Sequence, residues 1–336
     1  MLVPLAAVAA AACHAIAVTG TVQAAVDQAR PCDWVLVPAG TYDERVVVQT
    51  PQVRVRGLDR NAVVVGGGLD VQGAGDVVEN LTVEGGATFA GTGWRGRYLT
   101  VTGGIAAGGK GSLDHVYASG SLDAGIALNG CSCAVSYALA ERNAVGISAI
   151  GKATVADSLV RSNSVGILLG AGGVVRRSRI EQNDNLSVPA SANALRLPWG
   201  VGILIASAAG ARVENDLVTS NRSFGILVEE APGALIEHTL ARGAVYADVA
   251  LVQQGACFTA NRFVRALPAS LAPWSCTAAS PGPVPDAASL LRIQNLLTRL
   301  ETDSAQRKPK PQPPLPALPT LPNVCVEIPP GAACNQ

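Results

Sequence analysis

Val135-Ser-Tyr-Ala-Leu-Ala-Glu-Arg-Asn143 aligns without gaps on Val155-Ala-Asp-Ser-Leu-Val-Arg-Ser-Asn163, on Val175-Arg-Arg-Ser-Arg-Ile-Glu-Gln-Asn183 and on Val213-Glu-Asn-Asp-Leu-Val-Thr-Ser-Asn221. A Gly-Ile pair follows each copy, at Gly146, Gly166, Gly202 and Gly225, and precedes them at Gly125, so the steps are 21, 20, 36 and 23 residues. A unit this short cannot enclose a core of its own and must stack on its neighbours. Short β-branched runs without a helical period make each unit one coil of a β-solenoid.

The columns of the alignment predict where each side chain goes. Val135, Val155, Val175, Val213 and Ile236 form one inward stack, and Ala140, Val160, Ile180, Val218 and Ala241 a second. Asn143, Asn163, Asn183 and Asn221 stand just before the Gly-Ile turn. Asparagine tolerates left-handed backbone angles, and its amide can bond to its own and the next coil, so this column is expected to be a structural ladder and not a ligand site. Glu141, Arg161, Glu181, Thr219 and Arg242 should stack as an ionic stripe at the ~4.8 Å strand spacing. Each exposed pair is worth about 0.2 to 1 kcal/mol, and the larger effect is on register. Leu139, Leu159, Arg179, Leu217 and Leu240 point outward by alternation, and an exposed leucine row needs a cover.

Composition narrows the function classes. The 336 residues carry 25 basic and 25 acidic side chains, which excludes a phosphate-backbone binder working by bulk charge. Three histidines and one methionine leave no soft or His-rich metal set, and neither a metal nor a cofactor is expected. Aromatics are 4% against 36 glycines, which suggests coils too narrow for rings.

Met1 to Ala12 is apolar, and Ala15-Ile16-Ala17 looks like a processing site, so residues 1–17 are taken as an export signal, the alternative being an apolar cap helix. The run is too short to span a membrane. Eight cysteines then suggest disulfides in an oxidising compartment. Proximity suggests Cys257 with Cys276, Cys325 with Cys334, and the tight pair Cys131 with Cys133. Cys13 either pairs with Cys32, the reading favoured, or is lipidated and leaves Cys32 free. Residues 18–278 are assigned to the solenoid. From residue 279 onward prolines cluster, 12 of the 21 in the chain, giving an extended tail that ends in the Cys325/Cys334 loop. Within it, Leu290, Ile293, Leu297 and Leu300 recur at helical spacing with Asp286 as N-cap, predicting an amphipathic helix over residues 286–302. That helix is expected to pack on the leucine row or an equivalent stripe.

The column pattern resembles the right-handed parallel β-helix proteins of the pectin-lyase-like superfamily, in particular its NosD-like, secreted β-helix-repeat branch. The likeness covers about residues 20 to 265. Thr21-Val-Gln-Ala-Ala-Val26, Asp33-Trp-Val-Leu-Val-Pro-Ala-Gly-Thr-Tyr-Asp-Glu44 and Val53-Arg-Val-Arg-Gly-Leu-Asp59 are similar to the opening coils of that family. The resemblance implies an all-β, single-stranded solenoid but no single activity, since the family includes lyases, epimerases, hydrolases and plain binding surfaces.

Function is sought beyond the scaffold. The long step contains an insertion of about 15 residues, Asp184 to Trp199, where Arg196 and Trp199 are candidates for a charged clamp and a sugar-stacking wall, or else a loop covering the core edge. No adjacent Asp-Asp pair or calcium-type carboxylate cluster is evident in the repeat, and the Asp-Pro-His-Asp signature of alginate epimerases is absent. The remaining catalytic candidates are Asp114, His115, Asp123 and Arg161. The expectation is an exported carbohydrate- or cell-envelope-binding module, with a polysaccharide lyase, epimerase or glycosidase-like enzyme as the alternative. Its partner is a polysaccharide or envelope component and not nucleic acid, and the sequence sets no oligomeric state.

Overall fold

The computed structural model describes residues 13–184, 197–271 and 283–306, with side chains up to residue 302. Each repeat folds into three short strands. In one coil they are Thr154–Ala156, Leu159–Arg161 and Val165–Leu169. Each pairs in parallel with its counterpart one coil on, Val155 with Val175, Val160 with Ile180 and Ile167 with Ile203. The first two strands of successive coils share a 21-stranded sheet and the third builds an 11-stranded sheet, one strand per coil. Register survives the long step, because Val175 pairs with Val213. Both predicted inward stacks are buried, no member above 1% exposed.

The asparagine ladder forms, with its corner displaced by one residue from the expectation. The left-handed angles fall on the preceding residues, Arg142, Ser162, Gln182 and Ser220, at φ of 60°, 54°, 51° and 55°. The asparagines are freed to bond between coils. Asn163 Oδ1 accepts from Asn143 N at 2.9 Å and from Asn143 Nδ2 at 3.1 Å, while Asn163 Nδ2 donates to Ala140 O at 3.0 Å and Arg161 O at 2.8 Å. Asn183 and Asn221 repeat the pattern. The ladder ends where Ala244 replaces asparagine. There the buried Asp248 carboxylate accepts from Ala244 N at 3.1 Å, Val264 N at 3.1 Å and Arg265 N at 2.8 Å.

The coils are not too narrow for rings. Trp94 and Phe89 are fully buried, with ring centroids 5.0 Å apart, and the Trp94 indole donates to Gly108 O at 2.9 Å. Glycine makes the room: a Cβ on Gly111, the residue paired with Trp94 one coil on, would lie 2.2 Å from the indole.

Helix α1, Val22–Gln28, covers the first coils. Its N-terminal amides, orphaned by helix geometry, are met by the sheet: the Glu44 carboxylate accepts from Val22 N at 2.6 Å and Gln23 N at 3.1 Å. Ala15–Ala17, expected to be a processing site, is a strand paired with Trp34–Leu36, and Cys13 is bonded to Cys32, so both belong to the first coil and the solenoid begins before residue 18. Cys131 is bonded to Cys133. Cys257 is also disulfide-bonded. Cys276, Cys325 and Cys334, residues 1–12 and the proline-rich tail beyond residue 306 lie outside the described residues. Among the described residues no helix is long and apolar enough to cross a membrane.

Helix α2, Ala287–Gln306, starts on its predicted cap, with Asp286 Oδ1 accepting from Ser289 N at 2.8 Å. Ile293 and Leu300 are buried, and Leu296 and Leu297 partly so, against Val165, Val201, Leu204, Phe224 and Leu227 of the 11-stranded sheet. Leu290 stays half-exposed. The helix therefore covers an equivalent stripe and not the Leu139, Leu159, Leu217 and Leu240 row, which remains half-buried on the other sheet. The physical reason is area: the chosen face offers side chains as large as Phe224 and Trp199 beside its leucines, against a single file of leucines interrupted by Arg179.

Candidate functional site

From Asn80 onward, each of nine coils turns through one left-handed residue at the corner of the 21-stranded sheet. Asn80, Tyr98, His115, Tyr137, Asp157, Arg177, Asn215, His238 and Ala260 all have φ between 50° and 61°. Such backbone costs on the order of 1–2 kcal/mol for a residue with a Cβ. Its repetition in nine coils makes it a property of the solenoid corner. What distinguishes the site is which side chains the corner throws outward.

Three aromatic rings occupy successive corners. Tyr98 and His115 stack with centroids 4.9 Å apart and planes inclined 19°, and His115 and Tyr137 at 4.8 Å and 24°. These separations match the ~4.8 Å spacing of parallel strands, so the ring normals run along the solenoid axis. His115 has a ring on each face. The stack therefore presents edges to solvent, a rail of phenol, imidazole and phenol, together with the outer face of Tyr137, which is 57% exposed.

Charge is ordered beside the rail. Asp114 Oδ2 lies 2.8 Å from His115 Nδ1, and Asp114 Oδ1 accepts from Ser136 Oγ at 2.9 Å. This fixes the imidazole edge and leaves Nε2 as the ring nitrogen not engaged by Asp114. In the preceding coils Glu79 is held between Arg56, at 3.5 Å, and Arg97, whose Nε donates at 3.0 Å. On the other side the rail continues into Asp157 and Arg177, joined by two hydrogen bonds of 2.8 and 2.7 Å. The Arg177 hydrogen bond holds the Asp157 carboxyl below its ordinary range, and the same bond raises the guanidinium. This pair, with Leu159, Arg179, Asn215 and Leu217, lines a shallow surface groove.

Of the sequence candidates, the structure brings Asp114 and His115 together. Asp123 lies at a different corner, before the strand Ala124–Asn129, with its carbonyl accepting from Val145 N at 2.9 Å. Arg161 is on the second strand, bound to Glu141 at 2.8 Å, while Glu141 also accepts from the Tyr117 hydroxyl at 2.9 Å. The ionic stripe is thus half realised: Glu181 is taken by Arg179 of its own coil, at 2.5 Å.

Trp199 is not a sugar-stacking wall. It is 9% exposed, packs in the cluster beneath α2, and its indole donates to Leu300 O at 2.9 Å. Beside an apolar sheet face a large ring is buried for the same reason it is in a core, and Trp199 itself covers the edge of that face. Arg196 lies outside the described residues. Tyr98 and Tyr137 were missed as site residues. The signal was present, since both align with His115 in the repeat, but reading them as a stack needed the coil register. Among the described residues no group of three or more His, Cys, Asp or Glu side chains lies together as a metal site.

No protein-family model and no curated protein sequence matches the chain. Among solved structures it is similar to the A-module of the mannuronan C-5 epimerase AlgE6 of Azotobacter vinelandii, at 13% identity and TM-score 0.50, over 73% of this chain and 90% of that one. The A-module of AlgE4 from the same organism gives 12% identity and TM-score 0.49 over 71% and 89%. The pectate lyase Pel9A gives 15% and 0.46 over 80% and 82%. At these identities the likeness is one of architecture: the chain has the right-handed parallel β-helix fold of the pectin-lyase-like proteins.

Proposed function

We propose that the protein binds a polysaccharide outside the cytoplasm, with the glycan lying along the solenoid axis over the corner column from Tyr98 to Arg177. The observation that carries this reading is the stack of half-buried Tyr98 and His115 with exposed Tyr137. Ring edges offer hydrogen-bonding groups once per coil, and the free face of Tyr137 suits the apolar side of a pyranose. The Cys13–Cys32 and Cys131–Cys133 disulfides support an extracytoplasmic location, because such bonds persist where the medium is oxidising. The similar structure named as a mannuronan epimerase module supports a polysaccharide partner.

A second reading, a polysaccharide-active enzyme, is favoured by the Asp114 and His115 pair. A carboxylate on Nδ1 orients an imidazole and leaves Nε2 to take or give a proton, the arrangement general acid–base catalysis requires. Binding and turnover measured on the same panel of uronate and neutral polysaccharides separate the two. Binding lost in Tyr137→Ala, with no unsaturated product or new reducing end, supports the module. Turnover abolished by Asp114→Asn, with binding kept, supports the enzyme. Retention of full binding in both Tyr137→Ala and His115→Ala would refute the site.

A further inference from the structure

The leucine row of the 21-stranded sheet keeps water-accessible surface, because α2 is seated on the other sheet. Leu139, Leu159, Arg179, Leu217 and Leu240 are paired in register through successive coils. Four steps of ~4.8 Å make the row about 19 Å long. Arg179 interrupts it, but the guanidinium is bound to Glu181 on its own strand, so the charge standing in the row is paired. Leu159, Arg179 and Leu217 line a groove of about 500 Å³ together with Asp157, Arg177 and Asn215 of the corner column.

The proline-rich tail carries a matching period. Residues 313–322, outside the described residues, read Pro-Pro-Leu-Pro-Ala-Leu-Pro-Thr-Leu-Pro. Leu315, Leu318 and Leu321 recur at every third position, as do Pro313, Pro316, Pro319 and Pro322. A polyproline II helix has three residues per turn and rises about 3.1 Å per residue, so this sequence sets its leucines along one edge at intervals of about 9.3 Å. Two coils of the solenoid measure about 9.6 Å. The two periods stay in step to within about 1 Å over the run from Leu315 to Leu321, which at about 19 Å is as long as the leucine row.

The chain can make the contact. Leu300 O, in the last turns of α2, accepts from the Trp199 indole at 2.9 Å, and Gly200 N donates to Ser164 O at 2.6 Å. That end of the helix therefore lies beside the corner joining the second strand of a coil to the third. Ser164 is five residues from Leu159, at most about 17 Å of strand. From Gln306 to Leu315 the chain covers about 28 Å at the polyproline rise. A tether this short presents the segment at an effective concentration on the order of millimolar, so a contact too weak to form between molecules is occupied within one.

We propose that the leucine row is the docking surface for the chain's own residues 313–322, which lie along the solenoid axis as a polyproline II helix with Leu315, Leu318 and Leu321 against the row. The inference goes beyond the glycan reading and stands whether or not a glycan binds.

The test is hydroxyl-radical footprinting of leucine side chains in the full chain, with every substitution placed in the tail so that the solenoid is untouched. In the variant carrying Leu315→Asp, Leu318→Asp and Leu321→Asp, labelling of Leu159, Leu217 and Leu240 should rise roughly two- to tenfold. That range corresponds to a docked fraction of about one half to nine tenths, as expected for a millimolar contact at millimolar to ten-millimolar effective concentration. Leu235, half-exposed on the first strand of its coil, and Leu291 on α2 should not change. The pair Leu318→Thr with Thr320→Leu keeps the composition and breaks the period of three, so it should also raise labelling of the row. Protection in wild type should be the same at high and at low protein concentration. Equal labelling of the row in wild type and the aspartate variant would overturn the proposal, as would a period-breaking pair that labels like wild type. Protection that disappears on dilution would also overturn it, by assigning the row to the tail of a second copy.

Discussion

Replacing Asn163 by alanine tests the ladder on which the coil stack rests. The side chain makes five described hydrogen bonds, one of them to Asn183 Oδ1 in the next coil. It accepts from Asn143 N at 2.9 Å and Nδ2 at 3.1 Å, and donates to Ala140 O at 3.0 Å and Arg161 O at 2.8 Å. The losses are unequal. Asn143 Nδ2 keeps Ala118 O and Glu141 O as partners. The Asn143 main-chain N–H loses its acceptor, and that residue is 0% exposed, so no water replaces it without a local opening. One stranded buried N–H costs about 1–3 kcal/mol, and two weakened carbonyls add to it, giving roughly 3–5 kcal/mol in all. In a domain of this size that lowers the thermal midpoint by about 6–20 °C. Urea unfolding followed by circular dichroism should show the midpoint shift with the slope unchanged. The double variant with Asn183→Ala should lose less than the sum of the singles, because Asn163 Nδ2 also donates to Asn183 Oδ1. A loss below about 1 kcal/mol for Asn163→Ala would refute the reasoning.

Trp199→Ala should cost about 3–5 kcal/mol of local stability, seen as faster proteolysis and exchange within residues 283–306 while the repeat coils keep their protection. Gly111→Val should be severely destabilising, since its Cβ would meet the Trp94 indole at 2.2 Å and that ring is fully buried; calorimetry checks it. Arg161→Ala should cost no more than about 1 kcal/mol in denaturant unfolding, because the guanidinium is 40% exposed and Glu141 keeps the Tyr117 hydroxyl. Tyr137→Ala should change stability by less than about 0.5 kcal/mol, as befits an exposed ring at a corner where Ala260 already stands at φ 53°, so any loss of glycan binding in that variant reports the site and not the fold.

How far the sequence reaches can be seen residue by residue. The inward stacks of Val155 and Val160 and the register across the long step follow from spacing alone, because a parallel coil of fixed length forces equivalent residues into one file. The asparagine ladder was legible for the same reason. The left-handed angle falls on Ser162, one residue before the asparagine that propensity favours, because hydrogen bonding between coils occupies the Asn163 amide. Asp114 and His115 were legible as chemistry-bearing neighbours. Their partnership with Tyr98 and Tyr137 was not, because the residues are 17 and 22 positions from His115 and meet only through the stacking of coils.

The sequence by itself determined a coiled, parallel, all-β body, its core columns and the amphipathic character of α2, since these depend on period and polarity. The tertiary structure alone decided which side chains face water together. Trp199 and His115 are equally uncommon residues on the page; one is drawn under a helix by apolar area, and the other is turned outward by a left-handed corner. Exposure is a property of what packs next door, and the neighbours of a residue in a solenoid lie about 20 positions away along the chain.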